Sequence, residues 1–85
     1  MQYVYLIKSA RKDFFYVGCT NDLPKRLERH NKRQILSTRN YAPFKLIYYE
    51  AYQDARDAFE REKKLKHHGS AIGHLKRRVK WSATR

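Results

Sequence analysis

A single cysteine among 85 residues, Cys19, excludes an internal disulfide and any zinc site built on several thiolates. Cysteine this sparse fits a reducing compartment. Nowhere do about 20 apolar residues follow one another, so no membrane-spanning helix is expected. The N-terminus also lacks the basic, apolar and small-residue order of a signal peptide, which places the chain in the cytoplasm or at a nucleoid. With three glycines there is no Gly/Ser linker, and there is no repeat or low-complexity tract. So short a chain makes one domain, residues 1–85, burying only about 60% of its unfolded surface. Acid is scarce as well: eight Asp and Glu stand against 20 Lys and Arg, a formal charge of +12. That self-repulsion calls for a polyanionic partner. The cations run through strands, loops and helices and are not gathered on one amphipathic helix beside an apolar anchor, which favours nucleic acid over a membrane surface.

What is present argues for a folded core. Hydrophobic residues are 41% and aromatics 14%, seven of them Tyr, enough to reject disorder at 33% charged. "YVYLIKS" (3–9) and "FFYVGCT" (14–20) are β-branched and aromatic, and the polar "ARKD" between them reads as a hairpin loop. Closing that loop at Lys8 and Asp13 sets Tyr5 opposite Tyr16 on one face of the sheet. Cys19 shares strand parity with Phe15 and Val17 and reads as a packed thiol more readily than as a nucleophile. A first helix is capped by Asn21 or Asp22, carries Pro24 in its first turn and runs to Asn31. Residues 32–43 show no period and are basic, so they read as a loop. "FKLIYYEAY" (44–52) is a third strand, and Asp54 caps a second helix that Gly69 ends. A last helix near 71–81 has Ile72, Leu75 and Val79 at helical spacing. The fold class is therefore α+β.

Several polar residues stand on apolar faces. With Leu23 at zero, Leu27 falls at ~40°, His30 at about −20° and Arg26 at about −60°. Arg26 and His30 thus border the stripe that meets the core. Each alone is ordinary as a snorkelling Arg or a hydrogen-bonded core His. On the second helix Ala55, Ala58, Phe59 and Leu65 define the inner face, and Glu62 falls within that arc while Glu60 points outward. A carboxylate among apolar groups needs a partner, supplied either by Lys66 through an i,i+4 ion pair or by a divalent cation.

Taken together, two inward tyrosines, an Arg, a His and a Glu suit phosphodiester hydrolysis. Mg²⁺ or Mn²⁺ takes oxygen ligands, keeps most of its waters and often needs one or two carboxylates, so a single Glu can suffice where the partner of Glu62 is a divalent cation and not Lys66. Arg26 offers a planar fork to the scissile phosphate. A phenol flanked by cations and hydrogen-bonded by His30 is the expected base.

At these residues the sequence resembles the GIY-YIG nuclease family, in particular its small bacterial members. "YVY" at 3–5 looks like the first triplet and "YVG" at 16–18 like the second, while "TNDLPKRLERH" resembles the helix with its Arg and His. "REKKLK" (61–66) looks like the stretch carrying the metal-binding Glu, and "STRNYAPFKLIYYE" (37–50) like the segment leading into the third strand. Tyr3 and Val4 depart from the Gly and Ile of the first triplet, and no Asn follows Glu62. The resemblance implies a small three-stranded antiparallel sheet flanked by helices and a one-metal hydrolysis of DNA of the kind used in repair or recombination. It makes Tyr5 and Tyr16 the phenols of the site, Gly18 the close-approach glycine, Arg26 the phosphate ligand, His30 the supporting imidazole and Glu62 the metal ligand. Tyr16 is the favoured base, with Tyr5 orienting water or phosphate. DNA, branched, nicked or duplex, is expected ahead of RNA, bound by a monomer or weak dimer. Lys25, Arg29, Lys32, Arg33, Arg39, Lys66, Arg77 and Arg78 are the cations expected at phosphates. The alternative is a non-catalytic nucleic-acid-binding module on the same scaffold. His67, His68 and His74 read as solvated surface, and Trp81 either stacks on a base or is buried.

Overall fold

A computed structural model describes residues 1–84. Strand β1 (Gln2–Ser9) turns into β2 (Phe15–Thr20), followed by helix α1 (Leu23–Asn31), a 3-10 turn (Arg39–Tyr41), β3 (Phe44–Tyr52), and helices α2 (Ala55–His67), α3 (Gly69–Arg78) and α4 (Lys80–Ala83). The sheet is antiparallel in the order β2-β1-β3, so β1 is central and β2 is an open edge. This is the three-stranded α+β arrangement expected.

The hairpin is held by Ser9, whose hydroxyl accepts the backbone N–H groups of Arg11 and Lys12 and donates to the Tyr41 carbonyl at 2.6 Å. Its register differs from the expected one by two residues: Tyr16 pairs with Ile7, and Tyr5 pairs with Gly18. A shift of two preserves strand parity, so both phenols keep the same face.

Alternation along β1 divides the core. Val4 and Leu6 join Val17, Ala58, Leu65 and Leu75 in one cluster beneath α2 and α3; Tyr5 and Ile7 join Leu23, Ala42 and Phe44 in another beneath α1. Cys19 packs against the first cluster, and burial pushes its thiol pKa up, as a packed thiol requires.

Asp22 caps α1 by accepting the Lys25 N–H at 3.2 Å, with Pro24 in the first turn. The helix ends in a paired closure, Gln34 N–H to Arg29 carbonyl at 3.0 Å and Arg33 N–H to His30 carbonyl at 3.2 Å. Arg33 occupies the left-handed position usually taken by Gly, with φ 61°. Its guanidinium donates to the carbonyls of Arg39 and Ala42 and so closes the segment that follows.

Helix α2 is clamped to β3 by Arg61, which donates to both oxygens of Glu50 at 3.0 and 3.1 Å while Tyr48 and Tyr52 donate to the same carboxylate. Burial raises the Glu50 pKa, but the bonds from Arg61, Tyr52 and Tyr48 outweigh it and hold the carboxyl below its ordinary value. Two boundaries differ from the sequence expectation. Gly69 does not end α2, which stops at His67; it opens α3. The last helix is broken at Val79 into α3 and α4. Only Leu75 of its apolar trio is fully buried, and Trp81 is 73% exposed.

Candidate active site

The centre of the site is the Tyr5 hydroxyl. Tyr5 sits mid-strand at 2% exposure, and its ring runs over Gly18 of the neighbouring strand. A Cβ at Gly18 would overlap the Tyr5 hydroxyl and ring, so only glycine leaves the phenol its place. Gly18→Ala is therefore expected to destabilise the fold by about 1–3 kcal/mol through overpacking. Thermal unfolding checks this; an unchanged melting temperature would mean that the phenol has room to move.

Two residues of α1 meet that hydroxyl. Arg26 Nε–H donates to Tyr5 Oη at 3.2 Å, and His30 Nε2 lies 2.8 Å from it. The sequence anomaly on α1 is thus resolved: these polar side chains face inward because a buried phenol needs partners. His30 is fully buried, and its other nitrogen, Nδ1, is 2.7 Å from Thr38 Oγ1. Burial, then the positive charges of Arg26 and Arg29, lower the His30 pKa to about 4, so the ring is neutral near pH 7. A neutral ring has one N–H and one bare nitrogen, so the row Thr38–His30–Tyr5 can be polarised in either direction. Burial raises the Tyr5 pKa, against the lowering effect of the Arg26 bond and charge.

Tyr16 joins from the same face, its ring meeting His30 edge-on at 5.3 Å. Its hydroxyl makes no hydrogen bond among the described residues. Lys66 Nζ lies 5.0 Å from the Tyr16 ring centroid and 3.4 Å from Glu62 Oε2. Glu62 belongs to α2, on the opposite face of the sheet, yet its partner Lys66 reaches the Tyr16 ring that meets His30. The open β2 edge makes this convergence possible, since nothing beyond β2 separates the two faces.

Glu62 departs from expectation in one respect. Its side chain is 25% exposed and so is not enclosed by hydrocarbon, and the i,i+4 ion pair with Lys66 is present. Phe59, expected on the inner face, is 52% exposed. With Ala58 at zero, Leu65 falls at about −20°, Glu62 at about 40°, Lys66 at about 80° and Phe59 at about 100°. A narrow sheet covers only the Ala58–Leu65 seam, leaving the Glu62 flank beside the β2 edge and Phe59 beyond it.

The donor set suits a hard cation. Among the described residues no group of three or more His, Cys, Asp or Glu side chains gathers, so no cage of protein ligands exists. A single water-accessible carboxylate, with remaining positions filled by water and substrate phosphate, is an Mg²⁺-like arrangement. The pair with a half-exposed Lys66 is of the weak, displaceable kind.

Of the residues expected at phosphates, Lys25 and Arg29 line a shallow cleft with Arg26. Lys32 pairs with Glu28 at 3.5 Å, Arg33 serves the loop closure, and Arg77 meets His74 at 2.8 Å. Arg39 and Arg78 are exposed, as are His67, His68 and His74. Thr38 is the site residue that sequence reasoning missed. The available signal was chemical: an inward His has two nitrogens to satisfy, and Tyr5 serves only one.

Residues 1–78 match the model of the GIY-YIG catalytic domain. A UPF0213 protein of Clostridium perfringens is 39% identical over 67 residues, covering 78% of this chain and 71% of its own. UPF0213 proteins of Bacillus pumilus and Pediococcus pentosaceus are 38% and 37% identical over 65 residues, covering 75% of this chain and 65% and 67% of theirs. The chain thus spans about two thirds of the length of these relatives. No solved structure matches it. With the domain match covering nearly every element, and both triplets on adjacent strands, the chain belongs to the GIY-YIG family, a nuclease-type catalytic domain.

Proposed function

We propose that this domain is a metal-dependent DNA endonuclease that hydrolyses phosphodiester bonds. The observation carrying the reading is the Tyr5 hydroxyl held jointly by Arg26 and neutral His30, with Tyr16 against the His30 ring and the Lys66–Glu62 pair against Tyr16. A divalent cation held by Glu62 would stabilise charge on the leaving oxygen. Arg26 binds the scissile phosphate through its two terminal NH₂ groups while its Nε–H stays on Tyr5.

The proton route favours Tyr5 over Tyr16, reversing the roles expected from sequence. A phenol is a weak base until it passes its own proton on, and Tyr5 has an acceptor in place. Water gives a proton to Tyr5 Oη as the Tyr5 proton moves to His30 Nε2, in the tautomer whose Nδ1–H donates to Thr38. Burial is the main cause of the lowered His30 pKa, with the charges of Arg26 and Arg29 next; a bound phosphate offsets only the charge part, which makes the ring a somewhat better acceptor when substrate is present. Tyr16, whose hydroxyl makes no hydrogen bond among the described residues, then orients the water or the phosphate.

The Glu62–Lys66 ion pair favours a second reading, a binding module without catalysis. The two separate when the pure protein is incubated with plasmid, nicked, branched and single-stranded DNA in Mg²⁺, Mn²⁺ or EDTA. Nicking in either metal and none in EDTA is expected. No nicking of any substrate, with salt-sensitive retention on DNA, would leave the binding module.

A further inference from the structure

The α1 face carries a second concavity, outside the catalytic cluster. It is a cleft of about 560 Å³ between α1 and β3, lined by Tyr3, Leu23, Leu27, Leu46, Tyr49 and the turn at Asn21 and Asp22. The Tyr3 and Tyr49 rings meet edge to face at 5.9 Å, and Tyr49 is 52% exposed. That same turn also walls the small cleft holding Lys25, Arg26 and Arg29. An aromatic, largely apolar cavity and a cationic cleft thus lie on either side of the α1 N-terminal turn and share it.

We propose that this cleft takes the base of an unpaired nucleotide whose neighbouring backbone phosphate lies on Arg26, so that the domain selects DNA with unstacked bases near the cut. The proposal rests on the reading of Arg26 as the phosphate ligand. Charge complementarity identifies the occupant: the apolar cleft opens beside three cations on a chain of formal charge +12, which suits a ligand with a flat apolar end and an anionic end. A base paired within a duplex offers only its edges, because its faces are covered by stacking. A pocket walled by two phenol rings and leucines therefore discriminates by requiring a free base face. Asn21 and Asp22 supply polar groups at the rim for the base edge, which apolar walls alone would leave unsatisfied.

The test measures equilibrium binding in EDTA, so that cleavage does not enter. Two duplexes of equal length are compared, one with a fluorescent adenine analogue paired and one with it as a single unpaired nucleotide. The unpaired probe is expected to bind about tenfold more tightly than the paired one, with its emission quenched by stacking. Tyr49→Ala should abolish the preference and the quenching while leaving the paired duplex unaffected, and Tyr49→Phe should retain both. Equal affinity for the two probes, or an equal loss on both in Tyr49→Ala, overturns the proposal. So would sedimentation showing a dimer that Tyr49→Ala dissolves, because a second copy would then fill the cleft. An unpaired-base preference without metal-dependent nicking retires the nuclease reading alone, and nicking without the preference retires this inference alone.

Discussion

Arg26→Ala is expected to lower cleavage by about 10³-fold or more, the scale on which a phosphate-clamping guanidinium contributes to phosphoryl transfer. Arg26 carries two duties. Its Nε–H holds Tyr5 at 3.2 Å, and its terminal NH₂ groups, which make no hydrogen bond among the described residues, are the donors proposed for the scissile phosphate. Alanine removes both, whereas Arg26→Lys keeps the charge but loses the fork and should recover little. Because Lys25, Arg29 and the other exposed cations persist, affinity for DNA measured without metal should fall only modestly. Glu62→Gln should show the complementary pattern, with cleavage lost in Mg²⁺ and DNA binding unchanged or tighter as a negative charge disappears. Single-turnover cleavage beside fluorescence-anisotropy binding measures both. Cleavage that survives either substitution would sink the catalytic reading of the site.

The two helical anomalies have different outcomes in the structure: Arg26 and His30 meet the Tyr5 hydroxyl, and Glu62 pairs with Lys66. Arg26 and His30 were legible because α1 has sharp ends, with Asp22 and Pro24 at its start, which fix the angular position of every residue along it. Tyr5 and Tyr16 survived a register error because an even shift leaves parity intact. The wheel sets Glu62 close to the centre of the inner face of α2, whereas the structure leaves its side chain 25% exposed on the flank of that helix. A helical wheel shows which arc faces the sheet and is silent about where the sheet ends. Here it ends at β2, one strand beyond the centre.

What stayed hidden is tertiary. Thr38 lies in an aperiodic stretch, buried because the closure at Arg33 folds residues 34–43 back over α1 towards β3. Asn31 is similar: its side-chain oxygen accepts the Phe44 N–H at 2.6 Å, tying the end of α1 to the start of β3. Neither contact leaves a pattern in the sequence, since each joins residues by shape and not by period. The Glu50 cluster was equally silent. Tyr48, Glu50 and Tyr52 alternate along β3, which reads as an ordinary half-buried strand until Arg61 is placed above it.

Acid should weaken the fold through His30. Its pKa is 6.5 in the unfolded chain and about 4 in the folded one. Between these values the unfolded chain binds a proton that the folded chain refuses, so stability is fully present above about pH 6.5 and is lost as pH falls towards 4. Integrated over that window, the loss is about 3 kcal/mol, a large part of what so small a domain has. Protonation would place a charge between Arg26 and Arg29 and give the ring two N–H groups where Tyr5 and Thr38 now share one between them. His30→Gln removes this titration while keeping polar atoms at the site. Its stability, lower at neutral pH, should therefore change less between pH 6.5 and 4 than that of the parent chain. Glu50 and other carboxylates contribute acid sensitivity to both proteins, so the difference between the two denaturation series isolates the imidazole. Parallel slopes would show that His30 takes up its proton equally in the folded and unfolded chains, and the depression of its pKa by burial and by Arg26 and Arg29 would then be absent.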